Sequence, residues 1–184
     1  MALFAGRKRM QLKKLREVTA CAPWAYGRYR YFLEVRIADG LTRTLTVILK
    51  NPSTASAERS DPTVGKVEAW ARRNEFCRVR YVNLFALRSP YPQELNTHSY
   101  RVMVGRENDA WIERSLEGAD VVLAAWGNLN GVDSKKYEKR IAEVSRLLEG
   151  TCVRALGSPT KHGYPRHGLM WNGELPLFEW PLTL

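Results

Sequence analysis

The sequence predicts an α/β protein: a single three-layer domain on a four-stranded parallel central sheet, with an antiparallel strand at one edge. Three observations predict it. Four short apolar runs recur along the chain, Leu45–Leu49 (LTVIL), Val79–Leu84 (VRYVNL), Val121–Ala125 (VVLAA) and Cys152–Leu156 (CVRAL). Helical patterns lie between the runs, and strands separated by helices pair in parallel through right-handed crossovers. A polar, Pro- or Gly-punctuated loop follows each run: Asn51-Pro-Ser-Thr, Phe85-Ala-Leu-Arg-Ser-Pro, Trp126-Gly-Asn, and Gly157 through His167. In a parallel sheet these loops meet outside the carboxyl ends of the strands, the edge where open α/β sheets bind ligands.

The elements follow in order. Residues 1–20 read as a basic leader, disordered or a short amphipathic helix through Met10, Leu12, Leu15 and Val18, ahead of a single domain over 21–184. Most such leaders are solvated tails, and some contact nucleic acid. Tyr29–Ile37 and Leu41–Leu49 flank Ala38-Asp39-Gly40. Asp-Gly between apolar runs signals a hairpin, which makes the first of these strands the antiparallel edge. Asp61-Pro62 opens a helix, Asp as N-cap and Pro at the first position, with Val64, Val67, Trp70 and Ala71 on its buried face. A second helix runs from about Asn108 to Glu117, with Trp111, Ile112, Ser115 and Leu116 inward and Gly118 ending it. Ser134 caps a third, where Tyr137, Ile141, Val144 and Leu148 recur at helical spacing before Gly150.

The bulk composition narrows the function classes. The chain has 184 residues, 45% hydrophobic and 26% charged, as in ordinary globular domains. Its 29 Lys and Arg against 19 Asp and Glu give a net charge of +10, which favours a polyanionic partner over a neutral one. Cys21, Cys77 and Cys152 form no CxxC pair, so neither a disulfide framework nor a zinc site is expected, and Cys77 and Cys152 read as small core residues. The basic N-terminus has no apolar run after it, and no stretch approaches the roughly 20 apolar residues of a membrane span. A reducing cytoplasm is the expected setting. Neither GxGxxG nor GxxxxGK[ST] occurs, so no nucleotide cofactor is expected.

Polar residues in the four loops are the candidates for chemistry. Asn51-Pro52-Ser53-Thr54 reads as a good turn, or as a cluster of short hydrogen-bonding groups at a site. Asn83 is a polar amide inside an apolar strand; it either braces a neighbouring loop or faces a pocket, where an amide matches the edge of a nucleobase. Trp126-Gly127-Asn128 ends the third run, with Trp126 a core residue by type. The fourth loop carries Lys161, His162, Tyr164, Arg166 and His167, hinged by Pro159, Gly163, Pro165 and Gly168. This is a basic surface loop, or one built to grip a nucleic acid strand.

The pattern LNPSTA, DPT, VNLFALR, END, AWG and LG-x-TK-x-G-x-PRH resembles the domain-of-unknown-function family 1643 over nearly the whole chain. The strand-end motifs, in the same order, also resemble the uracil-DNA glycosylase superfamily. Asn51-Pro52 is similar to its first motif, Val82-Asn83-Leu84 to the strand whose Asn reads the base, Leu123–Gly127 to its Leu-Trp-Gly strand, and His167-Gly168-Leu169 to the start of its His-Pro-Ser-Pro-Leu loop. The chain departs from that pattern in three places: Asn51 stands where the fastest members have Asp, Gly168 where Pro is usual, and Ser53 where uracil-specific members have Tyr.

The resemblance implies a uracil-DNA-glycosylase-like fold and hydrolysis of an N-glycosidic bond in DNA without cofactor or metal, leaving an abasic site. His167 would donate to the departing base, Asn83 would read its edge, and Asn51 would orient the water, with Asp61 as a back-up water activator. Phe85 and Trp126 would complete the base pocket. Lys161 and Arg166 would hold phosphates, and Leu169 or Met170 would fill the vacated stack. Ser53 is far smaller than Tyr, so a 5-substituted pyrimidine is the expected base. Such bases occur in phage genomes, from which an antiviral role would follow. Two other classes share the features: a non-catalytic nucleic-acid-binding module, and a nucleoside or nucleotide hydrolase acting on small molecules.

Overall fold

A computed structural model describes residues 15–53 and 61–182. The strands are β1 (Glu17–Ala22), β2 (Phe32–Arg36), β3 (Thr44–Leu49), β4 (Arg78–Asn83), β5 (Val121–Ala124), β6 (Val153–Leu156) and β7 (Leu177–Glu179). They form one seven-stranded sheet in the order β1-β2-β4-β3-β5-β6-β7. The four apolar runs are its parallel centre: β3 lies between β4 and β5, and β6 pairs with β5. The flanking strands β1, β2 and β7 are antiparallel.

The helices are α1 (Pro62–Arg73), α2 (Tyr100–Val104), α3 (Asn108–Leu116) and α4 (Ser134–Leu147), with 3-10 turns at Pro92–Thr97 and Gly168–Met170. The alternation of side chains along each strand sends successive residues to opposite faces, and both faces of this sheet are apolar. Leu45, Val47 and Leu49 of β3 pack with Val64, Val67 and Trp70 of α1 on one face. Ile48 and Val82 pack with Met103 of α2, Ile112 of α3 and Tyr137 and Val144 of α4 on the other. The result is a three-layer arrangement. Asp61 caps α1 as expected, its Oδ1 accepting from the Val64 N–H at 2.8 Å with Pro62 at the first position.

Four local expectations are corrected. The hairpin across Asp39-Gly40 does not form, although Gly40 takes the turn's left-handed φ of 74°. β4 lies between β2 and β3, antiparallel to one and parallel to the other, so β2 is not paired with β3. The start of β4 is held on both sides: the Ile37 N–H donates to the Cys77 carbonyl, and the Cys77 N–H donates to the Arg43 carbonyl. A central strand buried on both faces satisfies more backbone groups than a two-strand ribbon. The second correction concerns the leader. Residues 17–20 belong to β1, which covers the edge of β2, so the boundary at residue 20 cuts a strand and Val18 is not helical. Residues 1–14, with Met10 and Leu12, lie outside the described residues. Third, α4 is capped by Asp133 rather than Ser134; its carboxylate accepts from the Lys136 N–H. Fourth, Cys152 is exposed just before β6, whereas Cys77 is buried as expected.

Candidate functional site

The loops after all four parallel strands line one cleft of about 240 Å³. Lys50, Asn51 and Ser53 follow β3, Ser89 and Pro90 follow β4, Asn130 follows β5, and His167 and Leu169 follow β6. Arg30, from the segment before β2, and Asp61 and Thr63, at the N-terminus of α1, complete the wall.

His167 is placed by two glycines. Gly127, at a φ of +69°, approaches so closely that a Cβ there would lie 2.7 Å from the His167 Cβ. Gly168 lies against α1, where a Cβ would lie 2.9 Å from Val67 Cγ2 and 3.2 Å from Thr63 Cγ2. A larger residue at 168 would push the His167 loop off α1, which accounts for glycine at this position. The Leu169 N–H donates to His167 Nδ1 at 3.2 Å. That lone pair is therefore committed, and the neutral ring carries its proton on Nε2. Burial, helped by the Lys50 charge and opposed by Asp61, pushes the imidazole pKa down to about 4. At neutral pH His167 is an uncharged N–H donor.

The other polar groups are equally constrained. The Asn51 amide nitrogen donates to the Ser89 carbonyl at 2.9 Å and the Pro52 carbonyl at 3.2 Å, tying the β3 loop to the β4 loop. What Asn51 offers a ligand is its carbonyl oxygen, an acceptor. Ser53 Oγ donates to Asp61 Oδ2 at 2.6 Å, while Asp61 Oδ1 caps α1. Both Asp61 oxygens thus have donors. Lys50 and Arg30 are buried, at 2% and 4% exposure, and desolvation is the largest cause that lowers both pKa values, to about 8 and about 10.

Residues 30–169 match the model of a family described as "Protein of unknown function (DUF1643)". The chain belongs to that family. No curated protein and no solved structure matches it. The matched span of this DUF1643 member runs from Arg30 to Leu169 and contains every residue lining the cleft, while β1 and β7 lie outside it.

A second groove, of about 380 Å³, adjoins the first and shares Asn130, His167 and Leu169 with it. Lys161, Arg166 and Met170 line it. Leu169 and Met170 are 41% and 52% exposed. The structure therefore brings Asn51, Ser53, Asp61 and His167 together, with Lys161, Arg166, Leu169 and Met170 alongside. Three expected site residues stand apart. Phe85 is fully buried in the core, its ring centroid 6.4 Å from that of Tyr137, and Trp126 is buried edge-on to Trp180; neither lines the cleft. Both follow strand ends, but their apolar bulk fills the layer between sheet and helices. Asn83 pairs in register with Leu49, one strand over from the cleft wall, and is buried; neither its Oδ1 nor its Nδ2 has a hydrogen-bond partner among the described residues. The sequence reading also omitted Arg30, Lys50 and Asn130. Lys50 had a visible signal, a charge directly after the apolar run LTVIL, whereas Arg30 sits unremarkably among tyrosines. Among the described residues no group of three or more His, Cys, Asp or Glu could hold a metal ion, and no helix is long and apolar enough to cross a membrane.

The arrangement also has a rigid support. Arg140 of α4 is fully buried, with Nε donating to the Leu84 carbonyl at 2.6 Å and Nη2 paired with Asp109 at 2.5 Å. It fixes the exit of β4 against α3 and α4, and so the loop that receives the Asn51 amide.

Proposed function

We propose that this protein is a DNA glycosylase with a uracil-DNA-glycosylase-like fold, hydrolysing the N-glycosidic bond of an extruded nucleotide whose base is a 5-modified pyrimidine. The observation that carries the reading is His167: a neutral ring with Nδ1 already accepting and Nε2–H left to donate, at a cleft that also presents the Asn51 carbonyl. The order of the strand-end motifs, described above as a resemblance, supports it.

Cleavage of the C1′–N bond builds positive charge on the sugar and negative charge on the base. A preorganised donor at the base oxygen lowers that barrier most, because it needs no reorganisation as charge develops. His167 Nε2–H is that donor. The Asn51 carbonyl accepts a hydrogen bond from the attacking water and orients it; an amide cannot remove the proton, which leaves to solvent as the hydroxyl joins C1′. Asp61, held by Ser53 and the α1 cap, is a positioning group first and a water activator second. Asn83, buried beside Leu49 with an amide that has no partner among the described residues, is the candidate reader of the base edge. A base inside a duplex must be extruded to reach such a cleft. Exposed Leu169 and Met170 fill the gap it leaves, and Lys161 and Arg166 hold the flanking phosphates. Ser53, where uracil-specific relatives carry Tyr, leaves room for a 5-substituent, and excision of such a base from phage DNA gives the protein an antiviral role.

The test is abasic-site formation on genomic DNAs carrying different base modifications. The expected result is abasic sites in DNA with 5-hydroxymethyl or glycosylated cytosine, with Ser53→Tyr selectively impairing those substrates. Abasic sites on none of the DNAs would sink the glycosylase reading; activity on uracil alone would sink only the substrate. A nucleotide hydrolase is the second reading, favoured by the buried cations Arg30 and Lys50. It is identified by release of base from free nucleotides with none from DNA.

A further inference from the structure

Two cations of the first cleft are buried without a salt-bridge partner among the described residues. Lys50 and Arg30 both line the cavity, and neither forms a salt bridge among the described residues. The Arg30 Nε is buried with no hydrogen-bond partner among the described residues. The Lys50 ammonium lies over the Tyr137 ring, 5.7 Å from its centroid. Among the described lining residues Asp61 is the one carboxylate, and its oxygens accept from the Val64 N–H and the Ser53 hydroxyl. Among the described residues the cleft therefore holds two buried positive charges against one negative charge. Burying a cation without a counter-ion costs free energy, so the folded chain is left with a demand for an anion at this spot. The supply of donors matches an oxyanion: a guanidinium fork, an ammonium point charge and the N-terminus of α1.

We infer that the cleft is an oxyanion site in which the Arg30 guanidinium and the Lys50 ammonium hold a phosphate ester. The inference does not depend on the glycosylase reading, because it concerns binding alone. It is also separate from the roles given to Lys161 and Arg166, which line the neighbouring groove. The phosphate has two possible sources, the backbone of a nucleic acid or a free nucleotide.

The experiment titrates the full chain with inorganic phosphate, a nucleoside, its 5′-monophosphate and a dinucleoside monophosphate, all at constant ionic strength. Binding is followed by calorimetry and by the thermal midpoint. Phosphate should raise the midpoint where an equal ionic strength of chloride does not. The nucleoside should bind at least tenfold more weakly than its phosphorylated forms. Tighter binding of the monophosphate identifies a free nucleotide, and tighter binding of the dinucleoside identifies a nucleic acid backbone; either supports a phosphate site. Lys50→Met and Arg30→Met should each weaken phosphate binding at least tenfold. Because each removes an uncompensated buried charge, the unliganded variants should melt no lower than wild type, unlike variants of a structural ion pair. Equal midpoints in phosphate and chloride overturn the inference and need no variant, as does unchanged phosphate binding in both variants. Abasic-site formation with no phosphate binding would overturn this inference and leave the glycosylase reading standing.

Discussion

At the scale of single residues, the proposed chemistry turns on His167 being uncharged. A histidine whose folded pKa falls to about 4, against the ordinary 6.5, binds fewer protons folded than unfolded between those values. Stability therefore rises with pH across that window: it is fully present above pH 6.5 and is lost as pH falls toward 4. A shift of this size is worth at most about 3 kcal/mol. Urea midpoints measured from pH 7 to pH 4 should fall less steeply in His167→Gln than in wild type; parallel curves would show that another group governs the acid limb. The catalytic assignment makes a second prediction. Under single-turnover conditions His167→Ala should lose more rate than Asn51→Ala, by an amount near the roughly 3–4 kcal/mol typical of an oxyanion-type donor. Wild-type cleavage by His167→Ala would remove it from the mechanism.

At the scale of elements, the site is assembled by close packing between loops and α1. Gly127 and Gly168 hold the His167 turn from two sides, and a Cβ at either collides with a neighbour under 3.0 Å away. Gly150 supplies the comparison, with a similar φ of +78° but nothing within 4 Å of an added Cβ. Gly150→Ala should cost only the left-handed backbone penalty, roughly 1–2 kcal/mol. Gly168→Ala should cost about 1–3 kcal/mol from overpacking alone. Gly127→Ala combines both penalties and should be the most destabilising. Urea midpoints rank the three, and a shift of the His167 ring resonances in Gly127→Ala but not in Gly150→Ala would confirm where the strain goes. An equal loss in all three would show that the contacts give way freely.

At the scale of the whole molecule, a net charge of +10 and a groove lined by Lys161 and Arg166 predict binding to nucleic acid that weakens with salt. The logarithm of affinity should fall linearly with the logarithm of salt concentration. Replacing Lys161 and Arg166 together by Gln should reduce that slope by about 2, roughly one per phosphate contact. Fluorescence anisotropy of a labelled oligonucleotide over a salt series measures it. Affinity independent of salt would point to a small-molecule substrate.

The four parallel strands, the helices α1, α3 and α4, and the loops that line the cleft were legible in the sequence, whereas β1, α2 and β7 were not. Apolar runs, the Asp61-Pro62 cap and the period of Tyr137, Val144 and Leu148 are local signals, and each follows from neighbours a few residues away. That the four strand-end loops meet also followed, because parallel strands joined by helices leave no other edge for them. Only the tertiary structure decided which strands pair. The alternation in Phe32–Arg36 suits β3 or β4 equally; the structure pairs it with β4, and Cys77 bridges Ile37 and Arg43 at the sheet end. The tertiary structure also decided that Phe85 and Trp126 are core, and that Lys50 and Arg30 are buried cations beside His167. Burial and unpaired charge depend on what the rest of the chain brings to the same place, and residues 20 and more than 100 positions apart leave no mark on one another's local pattern.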